Sequence, residues 1–132
     1  MNECPVEQAD DGALFRAFLA RARAARMAGD KKNEETFWKK ALDQQPENID
    51  FKLLFARSLF EQDRHVESMR LLQEVMEEKP DSADAHFFAG IIQYKEGRFN
   101  AARNLFERAL NLDPDHPSRK IMEQKIKEMG EK

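Results

Sequence analysis

Apolar residues recur three and four positions apart along most of the chain. The clearest run is Phe99, Ala102, Leu105, Phe106, Ala109, Leu110 and Leu112. It marks one apolar stripe on a helix spanning 99–112. A second run, through Ala85, Ala89 and Ile92, predicts a helix over 82–96. Ser82 offers an N-cap oxygen. Gly97 ends this helix, because glycine takes the left-handed C-terminal position without a Cβ clash. Asp113-Pro114 ends the later one, since proline disfavours helix in the residue before it and has no N–H for the ladder. The same plan predicts helices over 16–28 and 33–45, and over 50–62 and 65–78. No segment alternates apolar and polar residues convincingly, so no sheet is expected.

The helices come in pairs with a fixed period. Pro46, Pro80 and Pro114 lie 34 residues apart, and Gly29 and Gly97 stand two such periods apart. The repeats fall at 15–48, 49–82 and 83–116, preceded by 1–14 and followed by 117–132. A helix pair cannot bury its apolar stripe alone, so neighbouring pairs must stack. Residues 117–129 read as a closing helix begun at Pro117 or Ser118. Ile121, Met122, Ile126 and Met129 would face inward, and Lys120, Glu123, Lys125, Lys127 and Glu128 outward. Residues 1–14 are either a loose tail or a partial cap against Leu14 and Phe15.

Period and content together resemble the tetratricopeptide repeat. The third unit carries Ala89-Gly90, Gly97, Phe99, Ala102, Phe106, Ala109-Leu110 and Leu112-Asp113-Pro114. The first carries Phe18, Ala22, Ala25, Gly29, Trp38, Ala41-Leu42 and Pro46. The second has Phe55, Ala56, Leu59, Leu72, Val75 and Pro80, with Asp63 at the glycine position. Arg21, Lys52 and His86 stand where large apolar residues are usual, and Glu34 and Ser68 where alanine is usual. The resemblance covers 15–116. It implies an all-α fold, a right-handed α-solenoid of antiparallel helix pairs with about seven helices, and a role as a protein-interaction module.

Composition narrows the choice of partner and compartment. Twenty-two basic and 25 acidic residues in 132 leave a net charge of −3, so a nucleic-acid partner is not expected. No run approaches the ~18 apolar residues of a membrane span, so no membrane insertion is expected. The single cysteine, Cys4, permits no intramolecular disulfide. Met1 to Asp11 lack the basic start and apolar run of a secretion signal. These features predict a cytoplasmic protein.

No catalytic constellation is evident. His65, His86 and His116 occupy different repeat positions and read as surface or helix-edge residues, without metal-ligand spacing. The glycines are dispersed, not gathered into a phosphate loop. Adjacent acids such as Glu34-Glu35 diverge on a helix. The expectation is a protein that is not an enzyme and uses no cofactor or metal. An acid–base cleft of His86, Asp84 and Asp50 is what an enzyme would require.

In the family resembled, the first helix of each repeat lines a concave groove. Helical spacing then puts Arg16, Leu19, Arg23, Arg26 and Met27 there from the first repeat. Asp50, Leu53, Arg57, Phe60 and Glu61 follow from the second, and Asp84, Phe87, Ile91, Tyr94 and Lys95 from the third. Leu19, Leu53, Phe60, Phe87, Ile91 and Tyr94 form an apolar path, unless the tail or the closing helix covers it. Phe87 and Tyr94 are the expected anchors for a partner's peptide or amphipathic helix. Arg16, Arg23, Arg26 and Arg57 form a basic edge suited to an acidic segment. The clamp by which some relatives hold acidic chaperone tails maps to Leu19, Arg23, Leu54, Asp84 and Phe88. Only Arg23 is basic there, so that clamp is not expected. The expected role is an adaptor, an assembly factor or a co-chaperone-like module. The alternative is a structural scaffold that closes its groove by homodimerising.

Overall fold

A computed structural model describes residues 12–130 of the chain. Cys4 and most of the expected tail lie outside the described residues. Among the described residues there are seven helices and no strand. They are α1 (Ala13–Met27), α2 (Lys31–Gln44), α3 (Ile49–Glu61), α4 (His65–Glu78), α5 (Ala83–Lys95), α6 (Phe99–Leu112) and α7 (Arg119–Gly130). The first six helices form three consecutive pairs, α1–α2, α3–α4 and α5–α6. The chain divides into two compact units between Asn48 and Ile49.

In the first unit, α1 packs along α2. Ala22 of α1 and Trp38 and Ala41 of α2 are buried. The Phe18 and Phe37 rings stack at 6.3 Å, with the Arg21 guanidinium 5.7 Å from the Phe37 centroid and the Lys40 ammonium 5.8 Å from that of Phe18. Arg21 therefore covers an aromatic face where a large apolar residue is usual. Buried Glu34 accepts the Trp38 indole N–H at 3.0 Å. Helix α2 is capped by Asp30, whose carboxylate accepts the Asn33 backbone N–H at 3.2 Å.

In the second unit, α3 packs on α4, α4 on α5, α5 on α6, and α6 on α7. One core cluster joins Ala56, Leu72, Val75, Ala85, Ala89 and Ile92. The other joins Phe87, Ile91, Ala102, Phe106, Ala109, Met122 and Met129. Gly90 lets α5 and α6 cross closely: a Cβ there would sit 2.6 Å from the Phe106 ring. The other departures from the usual repeat are accommodated by polar contacts. The Ser68 hydroxyl donates to the Ala56 carbonyl at 2.7 Å across the α3–α4 crossing. Lys52 reaches Glu74 at 3.1 Å. The His86 Nδ1–H donates to the Ser82 carbonyl at 2.8 Å.

Gly29, Asp63 and Gly97 each turn the chain from the first to the second helix of a pair. Their φ angles are 76°, 62° and 80°. Asp63 thus holds, as an L residue, a conformation that glycine adopts freely and that aspartate tolerates better than most. Ser82 caps α5 as expected, accepting the Ala85 N–H on its hydroxyl oxygen at 3.2 Å.

Helix α2 begins at Lys31, two residues before expectation, and two further boundaries differ. Helix α1 begins at Ala13, inside the segment set aside as tail or cap. Helix α7 begins at Arg119, after Pro117 and Ser118, and runs through Gly130. Met122 and Met129 of α7 are buried and Ile126 packs against the same cluster. Ile121, expected inward, is 50% exposed.

Candidate functional site

The second unit contains a cleft of about 480 Å³ on the faces of α3 and α5, closed at one end by the turn into α7. Leu53 and Leu54 of α3 and Phe87 and Phe88 of α5 give it an apolar lining. The Phe60, Phe88, Phe87 and His116 rings form a row, with successive centroids 5.8, 5.2 and 5.4 Å apart. Asp50, Arg57, Glu61 and Asp84 supply the charges.

His116 fixes the end of the cleft. Its ring is buried between α5 and the α6–α7 turn. Its Nδ1 accepts the Ser118 backbone N–H at 3.0 Å, so the proton resides on Nε2. Nε2–H donates to the Asp84 carboxylate at 2.5 Å. The two bonds tie the last turn to the first turn of α5 and fix one wall of the cleft. His116 is thus not the surface residue its sequence position suggests.

The expected site residues separate into three groups. Arg16, Leu19, Arg23 and Arg26 stand on α1 in the first unit, the arginines exposed and Leu19 half-buried. Leu53, Arg57 and Phe87 come together in the cleft. Arg57 Nε donates to Glu61 at 3.3 Å, so this arginine has an acidic partner on its own helix. Phe60 is half-buried between the two clusters, with the Lys95 ammonium 5.5 Å from its centroid.

Phe87, Ile91 and Tyr94 correct the exposed apolar path. Phe87 is only 9% exposed and Ile91 only 7%. Both pack in the cluster that Met122 and Met129 of α7 complete. The closing helix makes them core, and only Phe87 also reaches the cleft. Tyr94 is held by α7 as well: its hydroxyl donates to Glu128 at 3.2 Å, and the Lys125 ammonium lies 4.2 Å from its ring centroid. That hydrogen bond holds the Tyr94 pKa above its ordinary value. Bonds from Gln124 and Tyr94, with the Lys125 charge, hold Glu128 below the ordinary carboxylate range.

Leu54, Phe88, His116, Pro117 and Ser118 also line the cleft and lie outside the expected site residues. A signal existed for two of them, since Leu54 and Phe88 fall on groove positions of the repeat register. None existed for His116, whose partner Asp84 is 32 residues away. His86, which an acid–base cleft would need beside Asp50 and Asp84, is turned to the Ser82 carbonyl. Among the described residues, no group of three or more His, Cys, Asp or Glu is placed to hold a metal ion. No helix among them is long and apolar enough to cross a membrane.

Comparison with known proteins gives a consistent result. A family model described as tetratricopeptide repeat matches residues 37–90 and 59–124. The chain is 30% identical over 96 residues to the uncharacterized protein y4yS of Sinorhizobium fredii, covering 73% of this chain and 52% of that protein. It is 33% identical over 89 residues to the Protein CTR9 homolog of Arabidopsis thaliana, covering 67% of this chain and 8% of that one. It therefore spans about half the length of the first relative and a small part of the second.

Solved structures agree on the fold. The Arabidopsis OM64 TPR domain matches with a TM-score of 0.78 at 16% identity, covering 89% of this chain and 98% of that one. The N-terminal domain of stress-induced protein-1 from C. elegans matches with a TM-score of 0.70 at 25% identity, with the same coverage. The TPR2B domain of yeast Sti1, solved in complex with a pHsp70 partner, matches at 0.76 and 13% identity, covering 89% of this chain and 97% of that one.

Proposed function

The chain belongs to the tetratricopeptide repeat family, and on that premise we propose that it is a protein-interaction module whose α3–α5 cleft captures a peptide or amphipathic helix of a partner. The observation that carries this reading is the cleft itself, about 480 Å³ with Leu53, Leu54 and Phe88 half-buried along it. Partly exposed apolar side chains in a concave site offer area that a partner's apolar side chains can bury. The surrounding charges would fix orientation. Such a module acts as an adaptor or assembly factor and performs no chemistry of its own. The Sti1 TPR2B domain, similar in fold, is itself solved in complex with a pHsp70 partner.

The test is selection of a displayed random dodecapeptide library on the full chain, followed by fluorescence anisotropy of the enriched peptides. Two variants probe the cleft. Leu54→Ser removes apolar lining, and Ser118→Trp fills the mouth beside His116. Each is expected to weaken the peptides by ~1–3 kcal/mol, with the helical circular dichroism of the parent retained. Equal binding to parent and both variants would place the site elsewhere. A concentration-dependent dimer that Ser118→Trp dissociates would replace the peptide by a second copy of the chain as the occupant.

A further inference from the structure

The cleft carries a charge balance opposite to that of α1, and this bears on what enters it. Three carboxylates and one guanidinium line it: Asp50, Glu61, Asp84 and Arg57. Arg57 is engaged with Glu61 at 3.3 Å. Asp50 meets Lys79 at 3.6 Å, but both side chains are mostly exposed, and such pairs are weakened by solvent. The Asp84 side chain is 57% exposed although it accepts the His116 proton. A carboxylate has about four lone-pair sites, so one imidazole donor leaves acceptor capacity. With Nδ1 accepting from Ser118, the His116 ring presents Nε2–H to Asp84 and to no other carboxylate of the cleft.

The apolar lining favours the same sign. The Phe87 and Phe88 rings, 5.2 Å apart, lie on the lining beside Asp84. Aromatic faces attract cations, and a guanidinium stacks on them while bonding a carboxylate at its edge. The chain already uses this pairing further along the row, where Lys95 sits over Phe60, and again where Lys125 sits over Tyr94.

We propose that the partner segment is cationic: an Arg or Lys side chain of a protein partner seats between Asp84 and Asp50 and over the Phe87–Phe88 rings, while neighbouring apolar side chains contact Leu53 and Leu54. This rests on the cleft being the peptide site. It assigns the cleft a ligand of opposite sign to the acidic segment that suits Arg16, Arg23 and Arg26 on α1.

The same library selection tests it, read for composition. Enriched dodecapeptides that depend on Leu54 and Ser118 are expected to carry more Lys and Arg than Asp and Glu. Their affinity is expected to fall about tenfold in Asp50→Asn/Asp84→Asn. Asparagine at 84 keeps an oxygen to accept the His116 proton, and the melting temperature of the double variant checks that the turn remains in place. Cleft-dependent peptides that are acidic or neutral, or basic ones that bind the double variant undiminished, would overturn the cationic assignment and leave the peptide site standing. Enrichment of no cleft-dependent peptide would overturn both.

Discussion

The first and third helix pairs follow one plan and bury very different amounts of it. Helix α1 has Ala22 as its buried residue, and its surface is largely Arg, Ala and Met. Helix α5 buries Ala85, His86, Phe87, Ala89, Gly90, Ile91 and Ile92. The difference lies in the packing partners within each unit. Helix α5 has α4 on one side, α6 on another, and a core completed by α7. Where α1 meets α2, cations lie over Phe18 and Phe37 and a buried Glu34–Trp38 hydrogen bond stands in for small apolar contacts. A repeat position therefore sets where a side chain points, while the neighbouring helices decide whether that direction is core or surface.

Four substitutions sharpen or break this contrast, each read by denaturant or thermal unfolding. The largest effect belongs to Phe106→Ala, which empties the α5–α6 crossing and should cost ~3–5 kcal/mol. Phe18→Ala, in the half-buried stack of the first pair, should cost visibly less, and equal losses would break the comparison. Next is Gly90→Ala. The added methyl would sit 2.6 Å from the buried Phe106 ring, so ~1–3 kcal/mol of overpacking should outweigh the better helix propensity. Glu34→Ala restores the residue usual at that position but leaves the Trp38 indole N–H buried without its acceptor. We expect ~1–2 kcal/mol of destabilisation; an unchanged midpoint would mean the bond adds nothing.

The smallest effect is a pH dependence at the exposed Tyr94–Glu128 pair. The folded Glu128 pKa is lowered, so its contribution is present above the ordinary carboxylate range and lost as pH falls through the folded value. The folded Tyr94 pKa is raised, so its contribution is present below the ordinary phenol value and lost as pH rises through the folded one. Tyr94→Phe removes the pair. Its melting-temperature deficit should be greatest at intermediate pH and shrink toward both extremes; a deficit constant with pH would contradict the assignment.

Much of this fold could be read from the chain. The 34-residue spacing of Pro46, Pro80 and Pro114 located all three pairs, and Asp63 stood in the glycine register because its turn is left-handed. Groove positions were legible for Asp50, Leu53, Arg57, Glu61, Asp84 and Phe87, which the cleft brings together. Whether the closing helix covers Phe87 and Ile91 was left open by the spacing alone, although a signal for it was present. The segment Ala-His-Phe-Phe-Ala-Gly-Ile-Ile in α5 is apolar on nearly every face, and such a helix is covered on more than one side. His116 was opaque because its bonds to Asp84 and Ser118 depend on the path of the turn, which no periodicity encodes. The charge of the cleft was legible with its positions, since three carboxylates and one guanidinium carry the same net charge whether or not Arg57 meets Glu61.

The central claim is that the α3–α5 cleft is where a partner binds. Titrating isotope-labelled full chain with an enriched dodecapeptide, and following backbone amide shifts, tests it most directly. The account predicts saturable shifts gathered on Asp50, Leu53, Leu54, Asp84, Phe88 and Ser118, abolished by Ser118→Trp. Shifts gathered on another face, with these amides unmoved, would contradict it.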